Sequence, residues 1–189
     1  ALQPRHQGRL ARLIVPRIAP ARVVVQSQNS LVRLAYLGRR VRFVPAGVDL
    51  DRFRPVDEAT RRTLRARRGI PAEVPVILHA GHLNRNRNVG VLKALARIEG
   101  AHVLLAGSRS TAQDPALIEE LRSAGVVVLT EYLPHIEELY QVADVYVFPA
   151  PPAAPLDQTP AIEVPLSVLE AMGCDLPVVC TRFGGLPAL

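Results

Sequence analysis

Aromatic residues are scarce in this chain: four Phe, four Tyr and no Trp, 4% of 189 residues. With 49% of the residues hydrophobic, the core has to be largely aliphatic. The Arg-rich stretches lack interleaved aromatics on which bases would stack, which argues against a nucleic-acid-binding surface. Cysteine is nearly absent. Cys174 and Cys180 are not spaced as metal ligands or a redox pair, and they read as small apolar residues of a reduced compartment. No apolar run approaches the roughly 18–20 residues that a membrane-spanning helix needs. No cluster of His, Cys, Asp and Glu has metal-ligand spacing, and no repeat of fixed period occurs. Lys93 is the sole lysine, so nearly all positive charge is Arg, a bias that codon usage alone can produce.

That charge is unevenly placed. Residues 1–68 carry 16 Arg against 4 acids, whereas residues 69–189 carry 7 basic and 13 acidic groups. Two readings stay open for the basic front: contact with an anionic membrane surface, or a solvated Arg-rich face. The chain begins at Ala1 rather than Met and stops at Leu189 directly after a strand and a loop. It is therefore expected to be a piece of a longer protein, and an upstream signal peptide or anchor stays open.

From Val76 onward, short aliphatic runs alternate with helical spacing. Strands are expected at 76–81, 102–107, 126–132, 144–150 and 176–183, and helices at 89–98, 115–125, 136–143 and 165–173. Such alternation means βαβ units: an α/β fold with a Rossmann-like parallel sheet covered by helices on both faces. Upstream, strands are expected at 21–28 and 41–49 around a helix at 30–38, followed by a basic helix at 57–69. Charge and pattern both shift near 49–56, which suggests a domain boundary there. The Pro-rich stretch 150–160 reads as a loop.

Ligands of open parallel sheets bind at the carboxyl ends of the strands. Here those ends carry Gly81-His82, Gly107-Ser108, Glu131-Tyr132-Leu133, Pro149-Ala150 and Phe183-Gly184-Gly185. Glycine at such turns lets backbone N–H groups approach a ligand. The helix starting near Pro165 aims its own N–H groups toward the same edge, which suits a phosphate. The loop "GHLNRNRN" (81–88) adds His82, Arg85 and Arg87, which would serve either a phosphate or plain solvation. At ~100° per residue, Pro165, Val168, Leu169 and Met172 share one helical face and Glu170 lies nearly opposite. Periodicity leaves two readings of Glu170: a solvated carboxylate, or one that accepts hydrogen bonds from a ribose diol.

Four stretches in order, "VRFVPAGVDLDRFRP" (41–55), "HAGHLNRNRN" (79–88), "VVVLTEYLPHIEELYQVADVYVFPA" (126–150) and "EVPLSVLEAMGCDLPVVCTRFGGLP" (163–187), carry a resemblance. Together they resemble retaining glycosyltransferases of the GT-B fold, family-4 type, over about residues 21–187. The resemblance implies that residues 1–49 are the tail of an N-terminal acceptor domain and residues 50–189 most of a nucleotide-sugar-binding domain. It places the family's phosphate-binding pair on His82 and Arg87, with Gly81 beside them, and His82 as a partial cation near neutral pH. It places the base contact on the backbone of Leu133 beside Tyr132. The diphosphate-facing helix start falls on Pro165, Leu166 and Ser167, and the ribose-binding glutamate on Glu170.

The first of the family's paired glutamates falls on Ile162, with Glu163 one residue later. Glu163 either turns inward to take over the sugar contact or caps a helix start. Arg87 and Glu163 are thus the expected catalytic residues. The implied activity is transfer of a sugar from a nucleoside-diphosphate sugar to a glycan or lipid-linked acceptor hydroxyl, with retention and without metal or other cofactor. The alternative is a non-catalytic module that binds a nucleotide sugar or a partner. A cytoplasmic location is expected, with peripheral contact to an anionic membrane as an extension. The family's cleft lies between two domains, so this stretch alone is expected to be inactive.

Overall fold

Aliphatic strands between capped helices assemble here into parallel sheets, as the alternation predicts. The protein is represented by a computed structural model that describes residues 9–26, 28–108, 112–151 and 164–189. Two units are distinguished, one from the described parts of 1–47, 164–165 and 182–189, the other from Val48–Pro151 and Leu166–Thr181.

The first unit contains α1 (Arg9–Ile18), β1 (Val23–Val25), α2 (Gln28–Arg33) and β2 (Val41–Phe43). Strands β1 and β2 pair in parallel with Val23 opposite Val41. Val25, Leu34 and Leu37 form a small aliphatic core. The helix expected at 30–38 is broken. After α2, a 3-10 turn over Ala35–Arg40 contains Gly38 at φ 60°, a conformation open to glycine without strain. β2 stops well short of residue 49, because Pro45 cannot donate to a ladder. Helix α1 carries an internal proline, Pro16, although its apolar residues recur at helical spacing.

The second unit contains α3 (Glu58–Arg67), β3 (Val76–His82), α4 (Leu92–Leu95), β4 (His102–Ser108), α5 (Pro115–Ser123), β5 (Val127–Leu129), α6 (Glu137–Val142), β6 (Val145–Phe148), α7 (Leu166–Gly173) and β7 (Val178–Cys180). The five strands pair in parallel in the order β5-β4-β3-β6-β7. The chain thus builds outward from β3 in one direction through β5, then returns to β3's other side with β6. The reversal makes the carboxyl ends of β3 and β6 a topological switch point. Ile77, Leu83, Val89, Leu92, Val103 and Leu105 belong to the main aliphatic core of this unit.

Helix boundaries follow their caps. The Asp57 carboxylate accepts from the Thr60 amide at 2.7 Å and starts α3. Asp114 does the same for Leu117 at 3.1 Å, with Pro115 in the first turn of α5. The helix expected at 89–98 is shorter. Asn88 sits in the left-handed region at φ 55° and starts a 3-10 turn over Val89–Val91, and only Leu92–Leu95 is α-helical. Strand β5 also falls short of 126–132, since it lies at the sheet's edge and pairs with β4 alone.

Among the described residues, two polar side chains are buried, Arg65 at 5% exposure and His79 at 2%. Arg65 of α3 donates to the Val142 carbonyl through Nε at 3.0 Å and Nη2 at 2.9 Å. It also reaches the Ala72 and Val74 carbonyls and the Asp144 carboxylate, the last at 2.7 Å. Asp144 Oδ2 in turn accepts the Val76 amide at 2.7 Å, at the start of β3. Burial works against the Asp144 charge, but the Val76 N–H and the Arg61 and Arg65 guanidiniums outweigh it and hold its carboxyl below the ordinary value. Arg65→Met should cost about 3 kcal/mol in a urea titration, because several carbonyls lose their donor together. A loss under about 1 kcal/mol would show that these bonds do not hold the unit together.

His79, in the middle of β3, has Nδ1 2.8 Å from the Val147 carbonyl. A carbonyl only accepts, so Nδ1 carries the proton and Nε2 is left as an acceptor, buried and without a partner among the described residues. Burial lowers its pKa to about 4, with the Val147 carbonyl opposing and the Arg87 and His82 charges adding to the fall. The unfolded chain therefore binds a proton near pH 6.5 that the folded chain refuses until about pH 4. Stability is full above pH 6.5, declines as pH falls, and is lower by roughly 3 kcal/mol at pH 4 from this group alone. His79→Phe should flatten the stability–pH slope between pH 6.5 and 5, measured by denaturant midpoints. An unchanged slope would remove His79 as its source.

Candidate functional site

The site is assembled at the carboxyl edge of the second unit's sheet. Gly81 and His82 end β3, both half-buried. A side chain at Gly81 would stand 3.1 Å from His79 Nε2, so glycine leaves the backbone close over the buried imidazole. Gly107 differs from the expectation that edge glycines open room for a ligand. A Cβ there would collide with the Leu83 side chain, so its space is filled by the loop that follows β3. Leu83 is fully buried and anchors that loop.

The loop's two arginines separate in role. Arg85 bonds Glu120 of α5 and lies 3.2 Å from Asp114. Lys93 joins at 3.0 Å, and the two cations hold the Glu120 carboxyl down at about 2. The Arg85 charge is therefore committed to α5. Arg87 is half-buried, and its charge acts on both His79 and His82. Burial first and the Arg87 charge second lower the His82 pKa. The His82 imidazole is thus harder to protonate than a free one, which shifts the weight of the pair's positive charge to Arg87. Asn88 Nδ2 donates to the Pro149 carbonyl at 3.2 Å, which latches the loop after β3 to the end of β6. The Asn88 latch follows no sequence pattern, because it depends on the pairing of β3 with β6.

Tyr132 and Leu133 follow β5. Tyr132 is 74% exposed, while Leu133 is half-buried. The segment they open is clamped by Arg52. Its Nε donates to Glu137 Oε2 at 2.7 Å and its Nη2 to the Pro134 carbonyl at 2.9 Å. The guanidinium lies 5.3 Å from the centre of the Phe53 ring. Glu137 also meets His135 Nδ1 at 3.1 Å. The "GVDLDRFRP" stretch thus supplies a side chain that fixes the loop after β5, a role its spacing does not announce.

α7 is rotated from the expected orientation. Val168 and Ala171 line its buried stripe, with Cys174 buried just beyond its end, whereas Met172 is 45% exposed. The rotation turns Glu170 toward α6. Its Oε2 accepts from the buried Tyr140 hydroxyl at 2.7 Å, and its charge is felt by Arg52. Glu170 is half-buried and bonded, so it is not a solvent-facing glutamate. Leu166 at the helix start is exposed. The Ser167 side chain hydrogen-bonds Tyr146. Tyr146 itself donates to the Ala80 carbonyl at 3.0 Å. The Ser167 hydroxyl is therefore structural, and only its backbone amide faces the role expected of the helix start. Pro165 precedes α7 in the chain and is buried. Glu163 lies outside the described residues.

Burial pushes the Cys174 thiol up to about 11, with the Glu170 charge adding to it, while Cys180 is exposed. Among the described residues no group of three His, Cys, Asp or Glu is placed to hold a metal ion. No helix there is long and apolar enough to cross a membrane.

The family model for glycosyl transferases group 1 matches residues 74–189. A D-inositol 3-phosphate glycosyltransferase of Geodermatophilus obscurus is 33% identical over 165 residues, covering 78% of this chain and 34% of the relative. The enzyme of the same name from Mycobacterium tuberculosis is 30% identical over 157 residues, covering 78% of this chain and 30% of the relative. The chain thus spans about a third of the length of the curated relatives it matches. In structure it is similar to Anabaena Alr3699/HepE in complex with UDP-glucose, with a TM-score of 0.70 at 20% identity over 98% of this chain and 52% of that one. It is also similar to sucrose-phosphate synthase from Thermosynechococcus elongatus, with a TM-score of 0.68 at 23% identity over 98% of this chain and 47% of that one. These neighbours share the GT-B glycosyltransferase fold, and by the family match the chain belongs to the glycosyl transferases group 1.

Proposed function

We propose that the full-length protein transfers a sugar from a nucleoside-diphosphate sugar to an acceptor hydroxyl, with retention at the anomeric carbon. One arrangement carries this reading. The half-buried His82 ends β3 with Arg87 in the loop after it, and the amide-bearing start of α7 comes after β6, on the two sides of the switch point. In the proposed reaction the bond between the anomeric carbon and the diphosphate oxygen breaks, and the acceptor oxygen forms the new bond. Negative charge gathers on the leaving diphosphate. Arg87 and the backbone amides of Leu166 and Ser167 would neutralise it, assisted by the hydrogen-bonding imidazole of His82. Glu170 would accept from the ribose hydroxyls, and the backbone at Leu133 beside Tyr132 would meet the base. Glu163 keeps two proposed roles, the sugar contact or a helix cap. The reading needs no metal ion.

The acceptor is proposed to be a hydroxyl of a glycan or of a lipid-linked glycan. Membrane contact receives no support from α3. Its Arg61, Arg62, Arg65 and Arg67, with the adjoining Arg68, all pair with Asp144, Glu58 or Glu138. A peripheral membrane position would fall to arginines earlier in the chain.

One observation favours the second reading, a non-catalytic nucleotide-sugar module: burial and the Arg87 charge make His82 harder to protonate at a position where the family's pattern carries a cation. Product formed by the intact protein from a labelled donor sugar decides between the two. In an active full-length enzyme, Arg87→Ala should lower turnover by roughly 100-fold or more, and unchanged turnover would remove Arg87 from the phosphate role. In metal-free calorimetry, one of UDP, GDP and ADP should bind, and Glu170→Ala should weaken it. A folded protein that binds none of the three would overturn the nucleotide-sugar reading.

A further inference from the structure

We infer that Tyr140 is a positioning residue for ribose recognition: its buried hydroxyl holds Glu170 in the rotamer that meets the nucleotide's ribose hydroxyls. This rests on the reading above that Glu170 contacts the ribose. Tyr140 is fully buried in α6, and its hydroxyl donates to Glu170 Oε2 at 2.7 Å. The ring cannot swing away. Phe53 meets it edge-on at 5.6 Å, and Tyr146 stacks on it at 5.7 Å. A glutamate on a helix surface has three side-chain torsions to fix, and the two sides of this contact differ sharply in freedom. The tyrosine is locked by packing, so the hydrogen bond transfers that rigidity to the carboxylate.

The chemistry of the pair suits the role. A carboxylate has about four lone-pair sites, so one donated bond leaves enough acceptors for both hydroxyls of a ribose. Burial, with the nearby Tyr146 and the Glu170 charge adding to it, keeps the Tyr140 hydroxyl protonated and therefore a donor. Glu170 is also within electrostatic reach of Arg52, which clamps the loop carrying Tyr132 and Leu133. The ribose and base contacts would thus share one rigid support.

The test uses the full-length protein and the tightest binder among UDP, GDP and ADP, together with its 2′,3′-dideoxy analogue. Wild type should prefer the ribonucleotide, and Glu170→Gln should remove most of that preference. Tyr140→Phe keeps the ring and removes only the hydroxyl. It should weaken the ribonucleotide by roughly 3–10-fold and leave the dideoxy analogue unchanged. Equal weakening of both nucleotides would assign Tyr140 a merely structural role and overturn the inference. So would an unchanged preference in Tyr140→Phe beside its loss in Glu170→Gln. A preference that survives Glu170→Gln, or no nucleotide bound by wild type, would overturn the ribose reading and the inference with it. Thermal unfolding of each variant reports its folding. Should Tyr140→Phe fail to fold, Glu170→Asp provides the second arm. Its shorter side chain cannot keep both the tyrosine bond and the ribose contact, so its preference should drop as in Glu170→Gln. A preserved preference there would overturn the inference.

Discussion

The register of β6 against β3 is the constraint on which the site depends, and it is set at the end of the sheet away from the ligand. Asp144 stands just before β6. Its amide donates to the Val76 carbonyl at 2.9 Å and its carboxylate accepts the Val76 amide at 2.7 Å. Only two residue pairs, Ile77 with Val145 and Leu78 with Tyr146, define the ladder itself. A slip by one residue would turn every side chain of β6 to the other face, so the burial of Tyr146 and Phe148 already favours this register. Arg65 adds to it by gripping Asp144 and the Val142 carbonyl from the buried side. The latch from Asn88 to Pro149 and the bond from Tyr146 to Ala80 then fall into place at the opposite end.

The same interaction explains the uneven charge. The excess of arginine at the front of the chain and the excess of acid behind it look like two surfaces in composition. In the structure they are partly one set of contacts. The arginines of α3 meet Asp144, the residue before β6, and Glu138 of α6, and Arg52 meets Glu137. Pairs on the exposed side contribute little individually. Arg65 differs because its guanidinium is buried and satisfied by several carbonyls. Composition cannot distinguish these pairs from a basic surface, since the partners lie about 70 to 85 residues apart in the chain.

The parallel sheet was legible because its strands are buried on both faces, which leaves plain aliphatic runs between helical patterns. Site positions at strand ends followed from the same topology. Helix faces were less legible. α7 has apolar residues nearly all round, so periodicity misplaced its buried stripe and left Glu170 with two readings. Contact with α6 turns that glutamate inward. The state of His82 was also illegible, since its lowered pKa comes from burial and from Arg87, which the fold brings near. Strand and helix lengths were over-read wherever a single residue intervened, such as Asn88 with its left-handed backbone or Pro45 without an N–H.

Scarce aromatics are concentrated where rigidity is needed. Phe53, Tyr140, Tyr146, His79 and Phe148 form a chain of ring contacts at 5.6, 5.7, 6.2 and 6.1 Å. Three of these rings end in a polar atom, and each is spent on a different wall of the site. Tyr140 holds Glu170, Tyr146 ties the start of α7 to β3, and His79 joins β3 to β6. A ring has two side-chain torsions, and packing on both faces removes them at low entropic cost. Aliphatic residues fill the rest of the core but offer no polar tip. An otherwise aliphatic interior thus gains, in one row of rings, fixed donors that reach the switch point from beneath. The row runs from Phe53 through α6 to β6 and β3, so it links the helix that holds Glu170 to the two strands that flank the switch point.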